Sequence, residues 1–294
     1  LLGGRVDKHN LIDHFIFSPR ANLRFNPVEE VNFRLTYAGG FRAPQAFDED
    51  LHTTLAGGER LKTRLASGLK EERSNSLSLS ADTYHSFGNV QANLLVEGFF
   101  THLDNVFAQR RLDEKDAFGN GILERYNANA ATVLGLNVEG KVAFSRQYQL
   151  QGGVTWQQSR YKEAVEWDEE ASKERKMMRT PNLYGYFTAN MEPVKKFTIS
   201  LTGNYTGSML VGHAAGSGVA KPVAVDTPAF MVFNLKLAYD FKAVDGVKAQ
   251  LNGGVQNLTN AYQKDIDQGW NRDAAYIYGP SQPRTYYVGL KISY

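Results

Sequence analysis

The sequence of 294 residues contains no cysteine. Disulfides, thiolate metal sites and cysteine nucleophiles are therefore excluded. The net charge is only +2, which is too small to indicate a nucleic-acid partner. No segment approaches the roughly 18 consecutive apolar residues of a transmembrane helix, so a membrane-spanning structure would have to consist of β-strands.

Proline is also scarce, whereas glycine and aromatic residues are abundant. Nine Pro stand against 27 Gly, and 15 Tyr, 17 Phe and three Trp bring the aromatic content to 12%. This mixture favours sheets and turns over helices. The first residues, Leu1 to Asp7, lack the charged and apolar regions of a signal peptide. We expect them to form a strand cut from a longer protein.

Apolar residues recur at every second position in about eleven segments, which is the period of a β-strand. In the last segment, the side chains on one face are Tyr286, Val288, Leu290, Ile292 and Tyr294. None of the apolar faces carries a charge. Charged residues fall on the opposite faces, at Arg34, Asp82, Glu97, Glu139, Lys141, Glu192 and Lys248. A charge that faced lipid at mid-bilayer would cost about 2–4 kcal/mol, so the segregation is typical of a membrane barrel with a polar interior.

A soluble β-sandwich produces the same alternation, with the apolar faces in its core. Strand length separates the two folds, because strands of soluble proteins are mostly about 5–6 residues long. Several segments here alternate for 11 residues or more, which suffices to cross a bilayer at a tilt. With a strand at residues 1–7 added, the sequence predicts an all-β fold, an antiparallel transmembrane β-barrel with about twelve strands.

Short and long connections alternate along the chain. The short ones lie at residues 26–30, 87–89, 145–147, 193–196 and 242–246. The long, polar ones lie near residues 40–73, 104–126, 158–180, 207–227 and 257–283. Short periplasmic turns and long extracellular loops are typical of outer-membrane barrels, so the pattern also predicts which end faces outward.

Several motifs resemble the TonB-dependent outer-membrane receptors. Tyr37–Pro44 followed by Leu69–Ser74 is similar to a strand, loop and returning strand of that family. Val255–Tyr262 followed by Pro283–Leu290 is similar to its last two strands. The final residue, Tyr294, resembles the aromatic signal read by the barrel-insertion machinery. The motifs at 41–44 and 278–280 are most similar to receptors of the Bacteroidetes type.

The resemblance implies a barrel of about 22 strands around an N-terminal plug, which imports scarce nutrients with energy relayed by TonB. Residues 1–294 would be the C-terminal portion of that barrel, with the plug and the TonB box outside the chain. The implied location is the cell outer membrane. The implied partners are outer-membrane lipid, the TonB complex and a small-molecule metal chelate; neither a cofactor nor an enzymatic activity is expected.

Ligand-binding side chains are expected in the long loops, because the strands provide the scaffold. Arg42 lies in the motif at residues 41–44, and His52 follows in the same loop, after the acidic run Asp48–Asp50. In haem-uptake receptors of this family a histidine in a comparable loop is an axial ligand. The second motif of those receptors is replaced here by Ala66–Leu69, so His52 has two interpretations, a ligand contact and a solvated loop histidine.

The loop near residues 257–283 supplies four further candidates: Trp270, Arg272, Tyr276 and Tyr278. Aromatic faces and a guanidinium suit flat or anionic ligands, so these residues could form an extracellular binding wall. The alternative is a loop folded against its neighbours. Oxygen-bearing side chains alternate in Asp265–Asp273, but the spacing departs from a calcium-binding loop, and no metal site is predicted.

Two other loops contain a glycine-rich segment and a run of mixed charges. His213 lies in a glycine-rich segment suited to a moving lid, and it is the last ligand-binding candidate. The mixed charges between residues 158 and 180 are interpreted as a solvated face.

The sequence therefore predicts TonB-dependent uptake of a metal chelate such as a siderophore, haem or cobalamin. A passive porin is the first alternative. An outer-membrane barrel enzyme is the second, and it would need His85 or His102 beside a nucleophilic serine. His85 is near a predicted periplasmic turn and His102 near an outer loop, so we do not expect them to act together.

Overall fold

The computed structural model describes residues 1–44, 61–244 and 246–293, and within them the chain is all β. The strands, numbered in chain order, are β1 (Leu2–Asp7), β2 (Ile16–Val28), β3 (Val31–Arg42), β4 (Leu61–Leu65), β5 (Glu72–Phe87), β6 (Val90–Asp104), β7 (Phe107–Lys115), β8 (Gly121–Asn127), β9 (Ala130–Ala143), β10 (Tyr148–Val165), β11 (Glu174–Lys176), β12 (Leu183–Val194), β13 (Phe197–Thr206), β14 (Leu210–His213), β15 (Val223–Asp226), β16 (Phe230–Val244), β17 (Val247–Gln256) and β18 (Thr285–Ser293). No helix in the described residues is long and apolar enough to cross a membrane.

Twelve strands form one antiparallel sheet in the order β1-β2-β3-β5-β6-β9-β10-β12-β13-β16-β17-β18. Each strand pairs with the strands that precede and follow it in this series, so the sheet is a simple succession of hairpins. The predicted antiparallel sheet of about twelve strands is confirmed. The sheet is open, because within the described residues β1 pairs only with β2 and β18 only with β17.

The two faces of the sheet differ in polarity as the sequence predicts. On β9, Leu134, Leu136 and Val138 point to the outer face and are 37%, 42% and 37% exposed. They lie in register with apolar residues of β6 and β10; Val138, for example, is opposite Val96 and Val154. Lipid, not a protein core, is the environment that such a face requires.

The inner face carries hydrogen bonds between polar side chains of neighbouring strands. Asn137 on β9 donates to Glu97 at 3.2 Å and accepts from the Thr155 hydroxyl at 2.7 Å. Further along the sheet, Asn234 on β16 donates to Thr202 on β13 at 3.2 Å. These bonds satisfy polar groups on the side that would face a water-filled interior.

The connections follow the predicted alternation. The short turns between β2 and β3, β5 and β6, β9 and β10, β12 and β13, and β16 and β17 are all at one edge of the sheet. The long connections, which we call the outer loops, are at the opposite edge and comprise residues 43–71, 105–129, 166–182, 207–229 and 257–284.

The sequence indicated loops where the structure has six further strands. In the outer loops β4 pairs with β8 and β8 with β7, β14 pairs with β15, and β11 pairs with β10. A small apolar cluster lies there as well, formed by Val106, Ala108, Ala128 and Ala131. The described parts of the outer loops are therefore partly folded, and the loop of residues 105–129 packs on Ala131 of β9.

Close strand packing depends on Gly254 of β17. A Cβ at this position would collide with the backbone carbonyl oxygen of Leu235 on β16 and lie against the phenol of Tyr287. We expect Gly254→Ala to destabilise the protein by about 1–3 kcal/mol, because a backbone atom must shift. Urea-unfolding midpoints of the intact protein in lipid would measure this.

Gly140 of β9 is the matched control, since a Cβ there would have no atom within 4 Å. Alanine at this position should leave the midpoint unchanged or raise it slightly. Equal midpoints for the two variants would contradict the packing argument.

Candidate functional site

The outer loops are joined by a network of charged side chains. Arg110 on β7 donates to Glu124 on β8 at 2.7 Å and to Glu166 at 3.3 Å, and its guanidinium lies 4.9 Å from the centroid of the Tyr126 ring. Arg64 on β4 also contacts Glu124, at 3.1 Å. Hydrogen bonds from Arg110, followed in weight by those from Arg64, hold the pKa of Glu124 below its ordinary value. The network connects three of the five outer loops.

The loop of residues 166–182, which we call the bridging loop, contacts outer loops on both sides. Glu166 bonds Arg110, and the ring of Trp167 packs on Gly212 so closely that a Cβ there would collide with it. Asp168 is 8% exposed. The interpretation of this charge run as a wholly solvated face is therefore wrong, because its first residues pack between neighbouring loops.

Arg42 ends β3 in a cluster of its own. Its guanidinium donates to Glu72 at 3.1 Å and lies 4.8 Å from the centroid of the Phe107 ring. The same Glu72 oxygen accepts the Phe107 backbone amide at 2.9 Å. Arg42 thus helps to fix the beginning of β7, and a part of its side chain remains exposed.

His213 and Asp267 form a buried pair between two outer loops. His213 Nε2 is 3.0 Å from Asp267 Oδ2, and the two side chains are 8% and 4% exposed. The same oxygen accepts the Asp273 amide at 3.0 Å, and an Asp273 oxygen accepts the Ala214 amide at 2.8 Å. Residues 207–229 and 257–284 are therefore fixed to each other.

Tyr276 and Tyr278 share the carboxylate of Asp265. Their hydroxyl groups donate to it at 3.0 and 2.5 Å, and the Tyr276 ring stacks on His213 with 3.7 Å between centroids. Burial, then the bond to Asp265, raises the pKa of Tyr276 to about 12, and the same causes raise the pKa of Tyr278. Burial would raise the pKa of Asp265, but the bonds from Tyr278 and Tyr276 outweigh it and lower that pKa. Both phenols therefore remain protonated donors around an ionised carboxylate.

Trp270 and Arg272 lie on the turn between Asp267 and Asp273. Trp270 is 91% exposed, the most exposed of the large apolar side chains. Arg272 donates to the Gly269 carbonyl at 3.1 Å, and the Ser217 amide donates to the Asn271 carbonyl at 2.7 Å. An exposed indole on a turn that is held by these two hydrogen bonds is suited to contact a flat ligand.

The structure thus brings together three of the predicted residues and separates the others. His213, Tyr276 and Tyr278 are in contact, and Trp270 and Arg272 are on the adjoining turn. Arg42 belongs to the Glu72 and Phe107 cluster, and His52 lies outside the described residues. Because His213 is 6% and Tyr276 3% exposed, both lie behind the predicted binding surface, and Tyr278 is the more accessible of the two tyrosines. Their role in ligand binding stays a prediction.

Sequence reasoning missed Gln263 and Arg179. Gln263 donates to the Tyr276 carbonyl at 3.0 Å and accepts the Tyr278 amide at 2.9 Å. Arg179 donates to the carbonyls of Ala275 and Ile277. A single glutamine or arginine in a polar loop gives no periodic signal, so only the fold could identify them.

The two histidines of the enzyme alternative are far apart. In the register of β5 and β6, His102 is opposite Asn75, and His85 is ten residues further along β5. At about 3.3 Å per residue the separation is roughly 33 Å. His85 and His102 therefore cannot share one catalytic site.

His14 joins the connection between β1 and β2 to the start of β5. Its ring nitrogens are each 3.0 Å from a carboxylate, Asp13 at Nδ1 and Glu71 at Nε2. The hydrogen bond to Asp13, followed by that to Glu71, raises the pKa of His14 above its ordinary value of 6.5. The positive charge at His14 is thus favoured by the folded loop.

We expect the loop of residues 8–15 to be better protected at mildly acidic pH, where His14 is charged and Asp13 and Glu71 are still ionised, than at higher pH. A raised folded-state pKa adds stability that is fully present below 6.5 and is lost as the pH rises through the folded value. Hydrogen exchange at the Ile12 amide, which bonds the His9 carbonyl, should therefore accelerate with pH beyond its intrinsic dependence. The His14→Gln variant should show only the intrinsic dependence; the same profile in both proteins would refute the assignment.

Comparison with known proteins identifies the fold. Residues 1–258 match the family model described as TonB dependent receptor-like, beta-barrel. A comparison with curated protein sequences gave no match.

Three solved structures are similar to this chain. A variant of the ferric enterobactin receptor PfeA from Pseudomonas aeruginosa, in complex with enterobactin, is 18% identical with a TM-score of 0.63; the match covers 99% of this chain and 42% of that one. The siderophore receptor PirA from Acinetobacter baumannii is 16% identical with a TM-score of 0.64, covering 98% and 42%. The copper transporter OprC is 14% identical with a TM-score of 0.63, covering 94% and 39%.

At these identities the structural likeness establishes the fold alone, and the chain spans about two fifths of each matched structure. The family match covers far more than half of the chain and agrees with the twelve-stranded sheet, its long outer loops and its apolar outer face. The chain therefore belongs to the TonB-dependent receptor family, as part of its β-barrel.

Proposed function

We propose that this chain is the C-terminal barrel portion of an outer-membrane receptor that takes up a metal chelate with energy supplied through TonB. The observation that carries the proposal is the match of residues 1–258 to the barrel of this family. The receptor binds outer-membrane lipid through the apolar face of the sheet. Its outer loops capture the ligand, and the polar inner face lines the route inward.

The open sheet supports the larger barrel. An unpaired strand edge within lipid leaves backbone groups without partners, so β1 and β18 each need a strand partner in the membrane. The matched structures are more than twice as long as this chain. A barrel of about 22 strands enclosing a plug, as in transporters of this size class, accommodates the twelve strands described here.

The chemistry of the outer loops supports a flat, aromatic or anionic chelate. Trp270 presents an indole face, Arg272 lies two residues further on the same turn, and Tyr278 is the accessible tyrosine of the same loop. The neighbouring structures are named for ferric enterobactin, siderophore and copper transport. We propose a siderophore as the first ligand to test. Haem, cobalamin and copper chelates are the alternatives.

Uptake by the full-length receptor tests the proposal. A Gram-negative host without its own chelate receptors should accumulate one labelled chelate when it expresses the intact receptor, and should lose this uptake when its tonB gene is deleted. Ferric enterobactin, haem, cobalamin and a copper chelate are the probes. Uptake that persists without TonB would favour a passive porin, and uptake of none of the four would overturn the metal-chelate assignment.

A further inference from the structure

Three outer loops meet at Arg179 of the bridging loop. Its guanidinium donates to the Ile277 carbonyl through Nη1 at 2.8 Å and to the Ala275 carbonyl through Nη2 at 2.5 Å. Its backbone amide donates to the Leu210 carbonyl, at the start of β14, at 2.8 Å. One residue thus holds the bridging loop, residues 207–229 and residues 257–284.

The two carbonyls captured by Arg179 flank Tyr276. This tyrosine stacks on His213 and donates to Asp265, and Tyr278 follows it with a second bond to the same carboxylate. The Ala275 carbonyl belongs to the peptide group before Tyr276, and the Ile277 carbonyl belongs to the peptide group before Tyr278. Holding these two peptide groups restricts the orientation of both rings. The planar fork of a guanidinium reaches two acceptors at once, which the compact ammonium of lysine does less well.

The backbone at Arg179 gives an independent indication. Its φ is +56°, in the left-handed region that favours glycine. A glycine would adopt this conformation without strain and could still donate its amide to Leu210. The arginine side chain adds a contact that glycine lacks, to the carbonyls of Ala275 and Ile277.

We propose that Arg179 is a positioning residue that holds the wall of Tyr276 and Tyr278 in one orientation against residues 207–229. That this wall contacts the chelate, through the more accessible Tyr278, rests on the proposed function. The positioning itself involves protein atoms alone, so it can be tested without a ligand.

Hydrogen exchange of the intact receptor in detergent, followed by mass spectrometry, is the first test. The amides of residues 276–279 are bonded to Asp273, Ala275 and Gln263. In Arg179→Ala they should exchange on the order of tenfold faster, since hydrogen bonds from a charged donor to two carbonyls are lost. Arg179→Gly, which removes the side chain and relieves the backbone, should accelerate them as much. Unchanged exchange in both variants would overturn the proposal.

Arg179→Lys tests whether the two simultaneous hydrogen bonds of the planar guanidinium are needed. Lysine keeps the charge but reaches one carbonyl well, so exchange at 276–279 should rise at least threefold. Exchange as slow as in the wild type would show that charge alone suffices and would overturn the role given to the fork.

Arg175 provides a matched control in the same loop. Its guanidinium bonds the carbonyls of Lys162 at 2.7 Å and Tyr161 at 3.5 Å, on the strand that precedes the loop. Arg175→Ala should accelerate exchange near its own site and leave residues 276–279 unchanged. Faster exchange at 276–279 in this variant would mean that any loosening of the loop disturbs the wall, against a specific role for Arg179.

Uptake measured on the same variants separates this proposal from the proposed function. Faster exchange at 276–279 together with at least tenfold weaker uptake of the chelate that the wild type transports supports positioning for capture. Faster exchange with normal uptake upholds the contact but overturns its link to capture. Absence of uptake in the wild type counts against the proposed function, while the exchange result still decides the positioning.

Discussion

Val138→Arg should destabilise the receptor in lipid by about 2–4 kcal/mol. Val138 is near the middle of β9, points to the outer face and lies between Val96 and Val154 of the neighbouring strands. An arginine that faces lipid at mid-bilayer costs about 2–4 kcal/mol, which is a large share of the stability of an ordinary domain. Urea unfolding of the intact receptor in lipid vesicles would measure the loss.

Glu139→Arg is the control for this prediction. The neighbouring residue points to the inner face and already carries a charge, so the substitution exchanges one solvated charge for another. We expect a change within about 0.5 kcal/mol. If Glu139→Arg were as damaging as Val138→Arg, the assignment of the two faces would be wrong.

Asp267→Ala should weaken the attachment between the loops of residues 207–229 and 257–284. The substitution leaves His213 buried without its partner and removes the acceptor of the Asp273 amide. Hydrogen bonds to charged groups contribute about 1.5–3 kcal/mol, so exchange at residues 211–213 should accelerate roughly 10- to 100-fold. The barrel should keep its unfolding midpoint, because the effect is confined to the loops.

Two further variants sharpen this test. Asp267→Asn keeps the shape and one acceptor, so its exchange should be intermediate. Asp226→Ala removes the exposed pair with Lys176, whose side chains are 61% and 48% exposed, and should change little. Equal effects of the Asp226 and Asp267 variants would mean that burial does not strengthen the His213 contact.

The barrel wall could be predicted from the sequence because its physics is local. Each strand separates an apolar environment from a polar one, so alternation along the chain reports the two faces directly, as at Val138 and Glu139. The short turns are equally local. Strand number, strand order and the polarity of the connections all follow from this single period.

The outer loops could not be predicted in the same way. Arg179 meets Ile277 across 98 residues and His213 meets Asp267 across 54, and no local period encodes such partners. Sequence reasoning identified His213, Tyr276 and Tyr278 by residue type but not their mutual contact. Glu166 and Trp167, interpreted as part of a solvated face, instead pack between loops because their partners lie elsewhere in the chain.

The connections at the two edges of the sheet differ in how well they tolerate changes of length. The connection between β12 and β13 is two residues long, whereas that between β3 and β5 is 29, from 43 to 71. The entropy of closing a flexible loop grows only with the logarithm of its length, by about 0.6 kcal/mol per doubling. Changes of length in those parts of the long connections that make no packing contacts are therefore inexpensive, and they leave strand pairing and register unchanged.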